Sequence, residues 1–182
     1  MSEAREIEYL RARLEAAESR SDRYRAERDR YRTESLHDPL TNLWNRRAFK
    51  LAEIAALSMG FAVVLLDVDD FKEVNDELGY AVGDELLVQT AHLIRREATR
   101  LGYPTSCRIG GDEFAVYTSS RDAKKLLYRV MTMAVRVEAS GRKLSISGGS
   151  GLTVEFANQD LRISKQAGDL LGQQLRRKGL EA

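Results

Sequence analysis

Apolar positions recur with different periods along the chain, and each change of period marks an element. Over residues 1–35 the spacing alternates between three and four, through Ile7, Leu10, Leu14, Ala17, Ser21, Tyr24, Arg28, Tyr31 and Ser35. This is the spacing of heptad seam positions and predicts a coiled-coil dimerisation helix. Ser21, Arg28 and Ser35 are polar at inward sites, where such residues trade stability for register or partner choice. A lone solvated helix held by Glu-Arg pairs is the competing reading. From Phe61 to Leu66 the pattern becomes an unbroken apolar run, FAVVLL, as in a strand buried on both faces.

The remaining pattern predicts helices over 42–58, 71–79, 83–100, 121–139 and 160–178, and strands over 61–67, 106–110, 113–118 and 144–152. Leu126, Leu127, Val130, Met133, Ala134 and Val137 form an apolar stripe at helical spacing and read as core. Gly79 and Gly83 bracket a short turn between two helical segments. Residues 35–39 read as a joint, with Asp38 capping and Pro39 opening the next helix. The expected organisation is a helix over 1–35 followed by a domain over 36–182.

Composition narrows the class. The chain has 182 residues, 43% hydrophobic content and a formal net charge of +1. That suits a real core and supplies no general field for nucleic acid. Its one cysteine, Cys107, has no partner for an internal disulfide and fits a reducing compartment. No stretch approaches the roughly 18 apolar residues of a membrane span, and the N-terminus begins with charged residues rather than a signal-peptide pattern. A cytoplasmic protein without membrane contact is expected.

Two acidic clusters carry the chemistry. Gly110-Gly111-Asp112-Glu113-Phe114 lies between β-prone flanks, Cys107-Arg108-Ile109 and Ala115-Val116-Tyr117. Two glycines at a two-residue turn would supply the positive φ angles of a tight hairpin, with two carboxylates at its edge. On its own this reads first as a solvated tip. The second cluster, Asp67-Val68-Asp69-Asp70, ends the apolar run, where ligands bind in open α/β sheets. Asp69 or Asp70 would serve as a helix cap, yet one cap does not require three acids.

At this point the residues resemble the diguanylate cyclase, or GGDEF, family. Asp38-Pro39-Leu40-Thr41-Asn42-Leu43-Trp44-Asn45-Arg46-Arg47 is similar to the family's opening D-x-L-T-x-L-x-N-R-R motif. The run from Asp67 to Asp76, with Gly79 and Gly83-Asp84 after it, matches the second block, the hairpin the third, and Leu144-Ser145-Ile146-Ser147-Gly148-Gly149 a late core strand. The blocks span residues 36 to 152. The resemblance implies an α/β (α+β) palm-like fold, a central mixed β-sheet with surrounding helices, and condensation of two GTP into cyclic di-GMP and two pyrophosphates.

It also implies roles for single residues. Asp67, Asp112 and the Val68 carbonyl are expected to hold Mg²⁺ (or Mn²⁺), since carboxylates stand beside a triphosphate only with divalent cations between them. Glu113 helps ligate the ion or deprotonates the attacking 3′-hydroxyl, so Asp112 and Glu113 are the catalytic pair. Asn75 and Asp84 match the guanine-binding positions, offering the carboxylate and amide that guanine's edge needs. Asp84 reads equally as the cap of a helix starting at Glu85. Lys72 lies on the phosphate side, and Phe71, Tyr80, Gly110 and Gly111 line the nucleotide. One half-site holds one GTP, so a homodimer through the N-terminal helix is expected. That helix is also a candidate dock for a protein partner.

The chain departs from the family in places. Its C-terminal A-D-x-A-L-Y-x-A-K-x-x-G-R-N block, read over Gly168 to Leu180, puts Arg176 at the phosphate-binding lysine and Leu180 at the arginine after it. Arg177 or Lys178 would have to compensate, and a catalytically inactive GTP-binding or interaction module is the alternative function. Asp70 and Tyr80 stand where histidine is common. Leu101, Gly102, Tyr103 and Pro104 replace an R-x-x-D product-inhibition site, so feedback there is expected to be absent. The run Ser147-Gly148-Gly149-Ser150-Gly151 is unusually glycine-rich for a core strand.

Overall fold

The structure is a computed structural model that describes residues 3–133, 135–136 and 143–177. It divides into two compact units, residues 1–36 and 37–182. The first is one helix, α1 (Glu3–Leu36), whose Ile7, Leu10, Leu14, Tyr24 and Tyr31 are all exposed. Among the described residues no helix is long and apolar enough to cross a membrane.

The second unit is built on a five-stranded mixed sheet of order β1-β3-β4-β2-β7. Its strands are β1 (Trp44–Asn45), β2 (Phe61–Val68), β3 (Ser106–Arg108), β4 (Glu113–Ser119) and β7 (Ile146–Gly151); β5 (Val135–Arg136) and β6 (Lys143–Leu144) pair separately. β1 runs parallel to β3, and every other pair is antiparallel. β2 lies between β4 and β7 and is buried almost throughout, as its apolar run requires.

Strand alternation sorts β2 onto two cores. Ala62, Val64, Leu66 and Val68 join Phe114 and Val116 of β4 in the larger core, under α3 (Phe71–Leu78), α4 (Tyr80–Arg100) and α5 (Ser120–Met131). Val63 and Leu65 join Ala115 and Tyr117 in the smaller core, under α2 (Arg46–Ser58) and α6 (Val154–Arg177). Phe49 of α2 stacks on Tyr117 with ring centroids 4.8 Å apart. Burial pushes the Cys107 thiol up to about 12, which makes it an inert strand residue.

The glycine-rich β7 is explained by α6. A Cβ on Gly149 would lie 2.2 Å from the Leu161 amide nitrogen and 2.4 Å from the Ala157 carbonyl oxygen. The helix backbone therefore rests directly on the strand, and only glycine leaves room for it. Ala157 and Leu161, one turn apart, are the buried side chains at this contact.

Several boundaries differ from the sequence expectations. Asp38 accepts hydrogen bonds from the Thr41 amide (2.8 Å) and hydroxyl (2.7 Å), but it holds a turn, and Pro39 opens no helix. Asn45 caps α2 instead, accepting from the amides of Arg47 and Ala48. α4 begins at Tyr80, so Gly83 and Asp84 lie inside it and Asp84 is no cap. Gly79 alone separates α3 from α4, at φ 86° and ψ 160°, a conformation open essentially to glycine. Asp70, at φ 56°, precedes α3 without a side-chain capping bond. α5 stops at Met131; Met133 still packs on the core, while Ala134 and Val137 lie outside the described residues. α6 starts at Val154, six residues before the predicted 160 (160 − 154).

Candidate active site

The register of β2 against β4 assembles the acidic edge. Leu65 pairs with Ala115 and Asp67 with Glu113, so the row that forms the smaller core ends in two carboxylates on neighbouring strands. Strand alternation points both to the face that α6 covers. Asp67 also pairs with Ser147 of β7 and is 6% exposed. Glu113 is exposed and Asp112 half-buried. Burial pushes the Asp67 carboxyl above its ordinary range, with the charges of Asp112 and Glu113 adding to the rise.

The hairpin works differently from a tight two-residue turn. β3 ends at Arg108 and β4 begins at Glu113, leaving a four-residue loop in which neither glycine takes a positive φ. What Gly110 supplies is space, because a Cβ there would come 2.3 Å from Glu113 Oε2. The loop is held from below: Arg108 donates through Nε (3.0 Å) and Nη2 (2.7 Å) to the Gly111 carbonyl, and through Nη1 (3.1 Å) to Asp38. Burial opposes ionisation of Asp38, but the Thr41 and Arg108 bonds outweigh it and hold the carboxyl low. The Val68 amide donates to the Asp112 carbonyl at 3.3 Å, which ties the loop to the end of β2.

Sequence reasoning missed one residue. Lys165 donates to Asp67 Oδ1 from α6, joining strand and helix across 98 positions. The same four-residue step that buries Ala157 and Leu161 carries Lys165 to the strand's end. The signal was present in the sequence. Ala157, Leu161, Lys165 and Gly168 fit the family's C-terminal block, with Asn158, Arg162 and Asp169 at its D, Y and R. Arg176, the cation expected from the sequence, has a side chain outside the described residues.

A second group lies on the helices after β2. Asn75 Oδ1 is buried without a hydrogen-bond partner, and a Cβ on Gly83 would fall 1.9 Å from it and 3.3 Å from Phe71. The bare Gly83 therefore makes room for an amide acceptor that nothing among the described residues satisfies. Phe71 is half-buried beside it, while Asp84, Lys72 and Tyr80 stand exposed. The structure thus gathers Asp67, Asp112, Glu113 and Lys165 at the sheet edge, and Phe71, Asn75 and Gly83 between α3 and α4.

The donor set was weighed as a metal site. Among the described residues no three acidic, histidine or cysteine side chains converge closely enough to enclose an ion. A buried carboxylate already holding an ammonium, with two further carboxylates near it, nevertheless fits a hard cation that takes its other ligands from phosphate and water.

The comparisons with known proteins agree with this geometry. The family model described as "Diguanylate cyclase, GGDEF domain" matches residues 35–179. Diguanylate cyclase TpbB of Pseudomonas aeruginosa is 38% identical over 115 residues, covering 60% of this chain and 26% of the relative. The structure of diguanylate cyclase SiaD in complex with its activator SiaC, from the same species, is similar at 32% identity and TM-score 0.64, over 91% of this chain and 72% of that one. The coiled coil and GGDEF domain of DgcB from Caulobacter crescentus, in complex with c-di-GMP, shares the fold at TM-score 0.72 and 24% identity, over 87% of this chain and 95% of that one. The chain spans only 18% to 44% of the length of the curated relatives it matches, from a Caulobacter vibrioides signalling protein to Vibrio cholerae VdcA. With the acidic edge, the hairpin and the fold in place, the match over residues 35–179 means that this chain belongs to the GGDEF family of diguanylate cyclase domains.

Proposed function

We propose that this chain condenses two GTP into cyclic di-GMP and two pyrophosphates, each protomer of a homodimer holding one GTP. The observation that carries the reading is the cation lodged on the buried Asp67 at the hairpin's edge, a site built to bring opposite charges together. In this reading Asp67, Asp112 and the Val68 carbonyl would hold Mg²⁺ (or Mn²⁺), which supplies Lewis acidity at the α-phosphate. Glu113 takes the proton of the 3′-hydroxyl; that oxygen bonds to the α-phosphorus of the other GTP as the bond to pyrophosphate breaks. The exchange then repeats in the other direction.

Asn75 and Asp84 bind the guanine edge, which the partnerless Asn75 oxygen supports. Phe71, Tyr80, Gly110 and Gly111 complete the nucleotide's surroundings. Lys165 takes the phosphate role, with Lys72 on the same side. Arg176 is 11 residues further along α6 (176 − 165), about 16 Å at 1.5 Å per residue. The intact lysine weighs against the alternative of an inactive GTP-binding or interaction module.

Two half-sites must face each other, and α1 supplies the means. Its exposed seam of Ile7, Leu10 and Leu14 is covered by the same helix of a second copy, which raises the effective concentration of one site at the other. A protein partner docking on the same helix is a further part of the reading, supported by the activator bound to the similar SiaD.

Incubating the purified chain with Mg²⁺ and GTP or ATP, then separating products, tests the reading. Cyclic di-GMP from GTP alone is expected, and Asp112→Asn lowers its rate by about a hundredfold or more. GTP binding without product would select the inactive module. Deleting residues 1–35 leaves nucleotide binding and sharply lowers turnover; unchanged turnover at low protein concentration would remove the dimer from the mechanism.

A further inference from the structure

Lys165 reaches Asp67 from a helix that cannot readily move aside. α6 lies backbone against backbone on Gly149 of β7, with Ala157 and Leu161 buried at the contact. The Lys165 side chain itself is 41% exposed and the Asp67 side chain it meets only 9%. A fixed stem with a mobile end is what a displaceable contact needs, and the flexible four-carbon lysine side chain provides it.

We propose that Lys165 is the resident counter-cation of Asp67, that it competes with the divalent ion for this carboxylate, and that a triphosphate relieves the competition by drawing the ammonium onto its own oxygens. The inference rests on the cyclase reading, and it adds to it a coupling between metal and nucleotide carried by one side chain. An ammonium and a dication on the same carboxylate repel each other, so in the nucleotide-free protein each excludes the other. Phosphate oxygens offer Lys165 another partner and free both Asp67 oxygens. By reciprocity the metal must then favour nucleotide by the same factor as nucleotide favours metal. Asp112 and Asp69 help hold the ammonium at the edge as well, while Asp112 and Glu113 press on the Asp67 carboxylate.

Mn²⁺ binding followed by the electron paramagnetic resonance of the free ion tests this without turnover. In the unaltered chain Mn²⁺ alone should bind weakly, and an α,β-methylene analogue of GTP should tighten it about tenfold or more. Lys165→Met should bind Mn²⁺ alone about tenfold tighter than the unaltered chain and lose most of the analogue's effect. Lys165→Gln, which keeps a hydrogen-bond donor without the charge, should behave like Lys165→Met if the charge is the competitor. Far-ultraviolet circular dichroism establishes that each variant is folded. Equal Mn²⁺ affinity of the unaltered chain and both variants without nucleotide would overturn the inference. If cyclic di-GMP still formed from GTP in that case, the cyclase reading would stand without it. Mn²⁺ binding that survives Asp67→Asn unchanged would overturn both.

Discussion

The two faces of the central sheet are built from the same strands but are packed in opposite styles. On one face β2 and β4 present Leu66, Val64, Phe114 and Val116 to the large side chains of α3, α4 and α5, among them Leu86, Ile94 and Leu126, all at most 1% exposed. On the other, Ala115, Gly149 and Ala157 let α6 come down to backbone contact. The bulky face holds the fold through buried area. The small-residue face holds position, because a helix resting on glycine has almost no freedom to slide, and this is the face whose rows run out into Asp67, Glu113 and Lys165.

The comparison breaks most sharply on the bulky side. Ile94→Ala, fully buried on α4, should cost about 2–5 kcal/mol of stability by urea unfolding, while the folded fraction keeps its Mn²⁺ affinity. If the site were lost first, the division of labour between the faces would be wrong. A smaller loss of stability with a larger loss of site should follow Gly149→Ala. Its methyl meets backbone rather than a flexible side chain, costing about 1–3 kcal/mol, and shifting α6 takes Lys165 off Asp67. Nucleotide-analogue affinity should therefore fall further in Gly149→Ala than in Ile94→Ala.

The smallest expected effect concerns charge on the bulky side. Glu97 is buried on α4, and although burial opposes its ionisation, Arg96, Arg100 and Arg129 hold it below its ordinary value of 4.5. A carboxylate depressed in the folded state stabilises above its unfolded pKa and loses that contribution as pH falls through the folded one. The melting temperature should therefore decline as pH drops below about 4.5, and less steeply in Glu97→Gln. A parallel decline in both proteins would assign the acid sensitivity to other groups, Asp38 first, which the Thr41 and Arg108 bonds hold low in the same sense.

Legibility followed the range of the interaction concerned. The buried strand at 61–66 was readable because burial on both faces leaves a continuous apolar run. Asp67, Asp112 and Glu113 were readable because motif spacing is local. The hairpin's glycines were misjudged: sequence favoured a tight turn with positive φ, whereas the loop is longer and Gly110 serves to clear Glu113. Asp84 as a cap failed because Gly79 is enough to start α4 at Tyr80.

The sequence by itself determined the family, the acidic pair of clusters and the heptad spacing along α1, since each depends on residue type at short spacing. Only the tertiary structure showed that Lys165 meets Asp67 at the acidic edge. Two registers of the C-terminal block put Arg176 or Lys165 at one family position; Ala157, Leu161 and Gly168 favour the second, but only the fold brings that lysine to Asp67. The glycines of β7 let the α6 backbone rest on the strand, and that contact carries Lys165, from 98 residues away, onto Asp67.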